Sequence, residues 1–294
     1  MEVNAKDWKQ ALVHLAALAA HLEGQGQYNV AKQARAAIDS ILRSEAYQAA
    51  MPDDLEGLSQ QVKLAIDGLE KIGLDNSLLN TLRSGAAALA EGRLTFFEET
   101  PDPYVCRTCG CVSMQAPQSN CPNCGAWAGT FQHFPPVYWL EALDPFEALP
   151  ALRRTPQAVA SLFKGLSPEA LELRPESGGW AIRNVVSHLR DAQEVLSFRV
   201  DLMLEQENPV LESLAVFEWA GRDLGLSAWE IFEIYNSSRQ VLIARLESIS
   251  LVDWWRSGKH AEFGPVTVCK QVSYFAIHEM THLPQIEALR LLAS

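Results

Sequence analysis

The chain has 294 residues, 48% of them hydrophobic, and a formal charge of −12 from 24 basic and 36 acidic side chains. That length suffices for two domains and a sizeable core, and the composition is globular rather than disordered. The acidic balance is spread without blocks of one sign, which argues against nucleic acid or an anionic membrane as partner. No apolar run reaches the ~18 residues of a transmembrane helix.

Residues 1–8 carry Glu2 and Asp7 and no basic leader. The apolar stretch 11–22 contains His14 and ends without a small-residue cleavage site. A cytoplasmic location is therefore expected, with cysteines either reduced or bound to metal.

Residues 1–100 read as helices. Trp8, Leu12, Leu15, Ala19 and Leu22 form one apolar stripe at helical spacing, stopped by Gly24 and Gly26. Further helices are expected over 30–50, closed by Pro52, over 55–72 and over 77–90, giving a small up-down bundle. His14 and His21 share a face. No Glu-x-x-His occurs in this region, so the ligands of a di-iron carboxylate site are missing.

Five of the six cysteines fall within 19 residues after Pro101 and Pro103. Cys106-Arg107-Thr108-Cys109-Gly110 and Cys121-Pro122-Asn123-Cys124-Gly125 are two C-x-x-C pairs, each followed by glycine and separated by eleven residues. Each turn offers two sulfurs, and the glycine permits a backbone shape that aims N–H groups at them, which suits a tetrahedral four-thiolate metal site. Two disulfides in an exported mini-domain are the alternative, and they lack an export signal. Cys111 is a fifth thiol outside the ligand set, because Gly110 already completes its turn.

Tyr104-Val105-Cys106-x-x-Cys109-Gly110 and Cys121-Pro122-x-Cys124-Gly125-Ala126 resemble the rubredoxin-like domain that closes rubrerythrins. The order, helices then knuckle, is similar too. The missing Glu-x-x-His pairs mean that the resemblance does not carry over a peroxidase-type activity. Four-sulfur tetrahedral geometry accepts zinc or iron.

Phe134-Pro135-Pro136 is a stiff linker, after which helical patterning returns. Helices are expected over 146–166, from the Ser167-Pro168-Glu169 start, over 180–205 after Gly178-Gly179, over 228–249, and over 266–292. The stretch 207–226, with Pro209 and Phe217-Glu218-Trp219, reads as a long crossover of a four-helix bundle. His278 and His282 lie four apart in the last helix and so project together. His188 sits among Val185, Leu189 and Ala192 and faces the interior, as either a core histidine or a third ligand. Three imidazoles from two helices would leave a metal with open positions, the arrangement of a catalytic rather than a structural site.

His278-Glu279-x-x-His282 also fits the H-E-x-x-H signature of zinc proteases. A downstream His-x-x-Gly-x-x-His continuation is absent, Pro284 interrupts the backbone donors, and Glu287 is the only acid that follows. Glu279, rotated ~100° from its neighbouring ligand, reads as solvated. Cys269 reads as core, His260 as a surface or packing residue that could reach a pocket mouth, and His133 has no evident partner.

Residues 145–294 resemble the DinB-like (DinB/YfiT) superfamily of metal-binding four-helix bundles. The matches are Gly179-Trp180-Ala181-Ile182 with His188-Leu189-x-Asp191, Trp219-Ala220, and Arg239 before Leu242. His260-x-x-x-Gly264-Pro265-Val266-Thr267 and His278-x-x-x-His282-x-x-Gln285-Ile286 complete them. Ala181 departs from the Ser or Thr of many relatives. The resemblance implies a divalent metal (zinc, nickel or iron) on His188, His278 and His282. It also implies chemistry like that of thiol-dependent S-transferases or a thiol-using maleylpyruvate isomerase.

The expected protein is all-α: an N-terminal helical bundle (1–100), a rubredoxin-like knuckle and linker (101–137) with metal on Cys106, Cys109, Cys121 and Cys124, and a DinB-like bundle (138–294). The function expected is a metal-dependent enzyme, a thiol-dependent transferase or a hydrolase, acting on a small molecule with or without a low-molecular-weight thiol. The arrangement is compatible with a homodimer, and neither nucleic acid nor membrane is an expected partner. A redox protein centred on an iron-loaded four-cysteine site and a metal-stabilised interaction protein are the alternatives. The catalytic residues stay open.

Overall fold

The computed structural model describes residues 5–176, 178–213 and 225–292. Phe217-Glu218-Trp219 and Trp219-Ala220, singled out above, lie outside the described residues, as does the side chain of Trp8. The chain divides into two compact units: residues 1–93 with 104–132, and residues 94–103 with 133–294. No helix among the described residues is long and apolar enough to cross a membrane.

The first unit opens with α1 (Ala5–Gly24), α2 (Tyr28–Gln48), α3 (Leu55–Lys71) and α4 (Asn76–Ala90). Asp54 and Asp75 cap α3 and α4 by accepting from Gly57 N and Ser77 N, satisfying donors that a helix start leaves unpaired. The helices pack as two hairpins, α1 on α2 and α3 on α4. The residues buried in α1 and α2 are alanines, among them Ala19 and Ala31, whereas α3 and α4 bury Ile66 and Leu79 beside Ala86 and Ala88. The knuckle adds β1 (Tyr104–Cys106), β2 (Val112–Ser113) and β3 (Phe131–His133), ordered β2-β1-β3.

The second unit is built on α5 (Pro145–Phe163), the short α6 (Pro168–Glu172), α7 (Ile182–Glu205), α8 (Ala228–Ser248) and α9 (Val268–Leu292). Asp144 and Glu147 form a reciprocal capping box at α5, and Ser227 with Glu230 do the same at α8, each pair satisfying two orphan donors. The N-cap of α7 is Ala181, which has no hydroxyl to cap the helix. Only the return bond is made, Ala181 N to Asn184 Oδ1 at 3.0 Å. α9 packs against both α5 and α7, and this central position buries residues around most of its circumference.

Sequence patterning did not reveal two features of this unit. A small sheet of β4 (Val210–Leu211), β5 (Ser257–His260) and β6 (Gly264–Thr267) leads into α9. Residues 94–103 also belong to this unit: Phe97 N donates to Ala261 O at 3.0 Å, and Phe134 N to Pro103 O at 3.0 Å. His133 binds Asp102 through Nε2 at 2.8 Å and Glu141 through Nδ1 at 3.2 Å. The expectation that His133 has no partner is thereby corrected.

The Phe97 ring lies over Gly264, whose φ of +67° L side chains rarely adopt and whose missing Cβ would meet that ring at 2.5 Å. Gly264→Ala is expected to cost about 1–3 kcal/mol from strain and displacement of the ring. A fall in melting temperature checks this, and an unchanged one would contradict the packing.

Candidate metal centres

The two C-x-x-C turns have the same local design. Gly110 N donates to Cys106 O at 2.9 Å and Gly125 N to Cys121 O at 2.8 Å. Both glycines hold positive φ, +76° and +74°, which glycine adopts without penalty. Cys106 Sγ lies 3.8 Å from Cys124 Sγ, and Cys109 Sγ lies 3.6 Å from Cys121 Sγ. A tetrahedron with metal–sulfur bonds of about 2.3 Å has edges of about 3.75 Å, so these sulfurs fit one ion.

Burial pushes the Cys106 thiol up, but the N–H groups of Cys109 and Thr108 and the neighbouring thiols outweigh it, giving about 6. Thiolate character at neutral pH is what a metal requires. Cys111 stands outside this four-sulfur group. Cys121→Ser is therefore expected to abolish knuckle metal content measured by elemental analysis, while Cys111→Ser leaves it intact. Equal loss in both would refute the ligand set.

In the second unit α7 supplies His188, and α9 supplies His278 and His282. Their ring nitrogens converge: Nε2 of His278 is 3.3 Å from Nε2 of His188 and 3.3 Å from Nε2 of His282. His282 Nδ1 lies 2.9 Å from Gln285 Oε1. A proton on Nδ1 donated to that oxygen would turn the Nε2 lone pair toward the other two imidazoles. This is the tautomer selection that supports metal-bound histidines. Burial, then the other imidazoles, holds His188 down at about 3, and burial, then His282, holds His278 at about 4. Both are neutral donors at physiological pH. Aromatic rings surround them: Trp180 packs on His188, Tyr274 stacks on His278 at 5.9 Å, and Trp139 lies 6.2 Å from His278.

Glu279 is not solvated. It is completely buried and forms an ion pair with Arg239, itself completely buried. Arg239 Nη1 donates to Glu279 Oε2 at 2.9 Å, and Tyr235 OH donates to the same oxygen at 3.1 Å. Arg239 also donates from Nε to Gln193 Oε1 at 2.5 Å and from Nη1 to Leu152 O at 3.1 Å. One rotation step from the ligand face turns Glu279 into the bundle, because α9 is surrounded by other helices. The protease role of this residue has no geometric basis here, since its carboxylate is fully engaged away from the imidazoles.

The triad opens into a cleft of about 820 Å³ that also reaches His260, Arg199 and Tyr274. His260 is buried, correcting the surface reading, and its Nδ1 accepts from Glu262 N and Phe263 N, both at 3.2 Å. Burial, then Arg199, holds it down at about 4. Cys269 is buried, with Sγ 3.7 Å from Leu143 O, in keeping with a core role. Arg199 and Tyr274 were missed. The signal for Arg199 was its place about three helical turns from His188, on the same stripe of α7.

The depressed histidines set a pH dependence. Their folded values lie below the ordinary 6.5, so between pH 6.5 and about 4 the unfolded chain binds protons that the native one refuses. Metal-free protein should therefore lose stability as pH falls through that window, with the contribution fully present above it. Chemical denaturation at pH 7 and pH 5 checks the sign, and greater stability at pH 5 would contradict it.

Residues 151–286 match the family model of the DinB superfamily. A protein of Oceanobacillus iheyensis named "putative metal-dependent hydrolase" is 29% identical over 135 residues, 46% of this chain and 78% of its own. A Bacillus cereus protein of the same description is 26% identical over 136 residues, 46% of this chain and 79% of its own. Among solved structures, YfiT from Bacillus subtilis, described as a probable metal-dependent hydrolase with an unusual four-helix bundle topology, aligns with a TM-score of 0.46. It shares 18% identity over 51% of this chain and 89% of that one.

Proposed function

We propose that the DinB superfamily domain at residues 151–286 is a metal-dependent enzyme whose ion is held by His188, His278 and His282. The observation that carries this reading is the convergence of three imidazoles on the wall of a cleft, with Nε2 of His278 lying 3.3 Å from Nε2 of both His188 and His282. These two separations are compatible with a tetrahedral ion such as zinc. A tetrahedral ion with bonds of about 2.0–2.1 Å has edges of about 3.3–3.4 Å, whereas one face of an octahedron with the same bonds has edges of about 2.9 Å. A divalent ion bound there would supply Lewis acidity, polarising a substrate atom and activating a water or thiol in the open position.

The chain's own residues do the rest. Gln285 keeps the His282 proton on Nδ1, and Trp139, Trp180 and Tyr274 restrict water around the imidazoles. Glu279 holds α9 through Arg239 and takes no proton from a nucleophile. Two reaction classes fit such a site. One is hydrolysis, as the names of the relatives suggest, and the other is transfer to a low-molecular-weight thiol.

Zinc-loaded full-length protein should be assayed in two arms, an ester and amide panel in water and an electrophile panel with added thiols. Turnover that requires the metal and disappears in His282→Ala is the expected result. Absence of metal-dependent turnover in both arms would overturn the enzyme reading.

A further inference from the structure

We propose that the cleft takes an elongated substrate with an anionic end group, bound by Arg199 and the Nε2–H of His260 while its other end lies at the imidazole triad. This rests on the triad being the reacting end, as proposed above.

The cleft has two chemically different ends joined by an apolar floor. On α7, His188, Ala192, Val195 and Arg199 all line it, and their spacing of four, three and four residues keeps them on one helical stripe. Eleven residues separate His188 from Arg199, about three turns or ~16 Å of axis. Tyr274 and Phe275 of α9 line the opposite wall, and the Tyr274 ring, stacked on His278, spans part of the interval. A small compact molecule would touch one end or the other. Bridging both requires length.

Arg199 is the unusual residue of the far end. It is 6% exposed, and its two described hydrogen bonds go to neutral acceptors, Gln271 Oε1 at 3.1 Å and Glu212 O at 2.7 Å. Its Nε is buried with no partner. A buried guanidinium is normally matched by a carboxylate, because an unpaired buried charge is costly. Arg239, deeper in the same bundle, has Glu279. Arg199 has no carboxylate within ion-pairing distance among the described residues. The carboxylate that acts on it electrostatically is that of Glu262, on the cleft wall, which accepts from Ser213.

His260 supplies the second donor. Two backbone N–H groups point at its Nδ1, so that nitrogen is an acceptor and the proton resides on Nε2. No described residue accepts from Nε2. A cation and a neutral N–H donor on one wall, both short of acceptors, form a receptor for an anion. Carboxylate and phosphate share that chemistry.

The test is calorimetric titration of the zinc-loaded full chain with linear α,ω-dicarboxylates from succinate to sebacate. Hexanoate serves as a one-ended control, and an ω-phosphono carboxylate separates phosphate from carboxylate. Affinity is expected to rise with length to an optimum and to exceed that of hexanoate by at least about tenfold. Arg199→Met should remove that advantage.

His260→Asn keeps an acceptor for the two backbone N–H groups but deletes the Nε2–H, and should weaken binding several-fold. Glu262→Gln removes the opposing charge and should tighten it. Zinc content and helicity are measured for every variant, so that a misfolded Arg199→Met leaves His260→Asn and Glu262→Gln to decide. Dicarboxylates that bind no better than hexanoate to zinc-loaded protein would overturn the proposal and leave the metal site standing. Changes of the same sign in Arg199→Met and Glu262→Gln would also overturn it. Protein that takes up no zinc at the triad, yet binds hexanoate through Arg199, would sink the enzyme reading and support the anion end alone.

Discussion

Glu279→Ala is expected to lower the unfolding free energy by about 3–5 kcal/mol, because it leaves the Arg239 guanidinium buried without its countercharge. Both side chains are fully shielded from solvent, so water cannot replace the lost carboxylate. The Tyr235 hydroxyl loses its acceptor at the same time. The double variant Arg239→Met/Glu279→Leu should recover much of the loss, since apolar residues of similar volume remove the charge rather than orphan it. Urea unfolding followed by far-UV circular dichroism reads both. A cost below about 1 kcal/mol for Glu279→Ala would show that the pair is open to water. Glu279 sits between two triad residues on α9, so the single variant should also weaken metal binding at the imidazoles while leaving the knuckle metal unchanged.

The second large effect concerns the imidazoles themselves. Removing a residue that merely supports a ligand costs 10–100-fold in metal affinity. His188→Ala, His278→Ala and His282→Ala each remove a ligand and should exceed that range, leaving metal content at the triad near zero in the presence of a competing chelator. Helicity should survive, because the apolar stripes of α5, α7, α8 and α9 hold the bundle. His260→Ala should keep metal at the triad, since its Nδ1 faces backbone donors and not the converging nitrogens. Full occupancy in His188→Ala would make that residue a core histidine and would break the triad.

Much of this was legible in the sequence because it is local. Helix limits followed from apolar spacing, from the breaks at Gly24, Pro52 and Gly178-Gly179, and from Ser167, which marks a helix start by its own short-range chemistry. The two C-x-x-C-G turns and the four-residue step from His278 to His282 are equally local. The third imidazole needed only the inward phase of His188.

What stayed hidden depends on distant partners. Glu279 and Arg239 are 40 residues apart, and nothing near either one announces that the other will meet it in the core. The rule that a residue one position from a ligand points elsewhere was correct. The inference that elsewhere meant solvent failed, because α9 is enclosed on several sides. Arg199 and His260 converge from α7 and β5, and β4, β5 and β6 are too short, at two to four residues, to leave an alternating pattern. His133 finds Asp102 across 31 positions.

The segment over residues 94–103 bears on how this chain can be dissected. A fragment cut at residue 138, where helical patterning resumes, would discard Phe97 from above Gly264 and Leu94 from the cleft wall. It would also strip Glu141 of its contact with His133. The ends that flank the cysteine knuckle are already joined, by Phe134 N to Pro103 O and by His133 to Asp102. A graft that replaces residues 104–132 with a short turn, in a chain begun at residue 94, keeps every one of these contacts and makes the imidazole site available without the sulfur site.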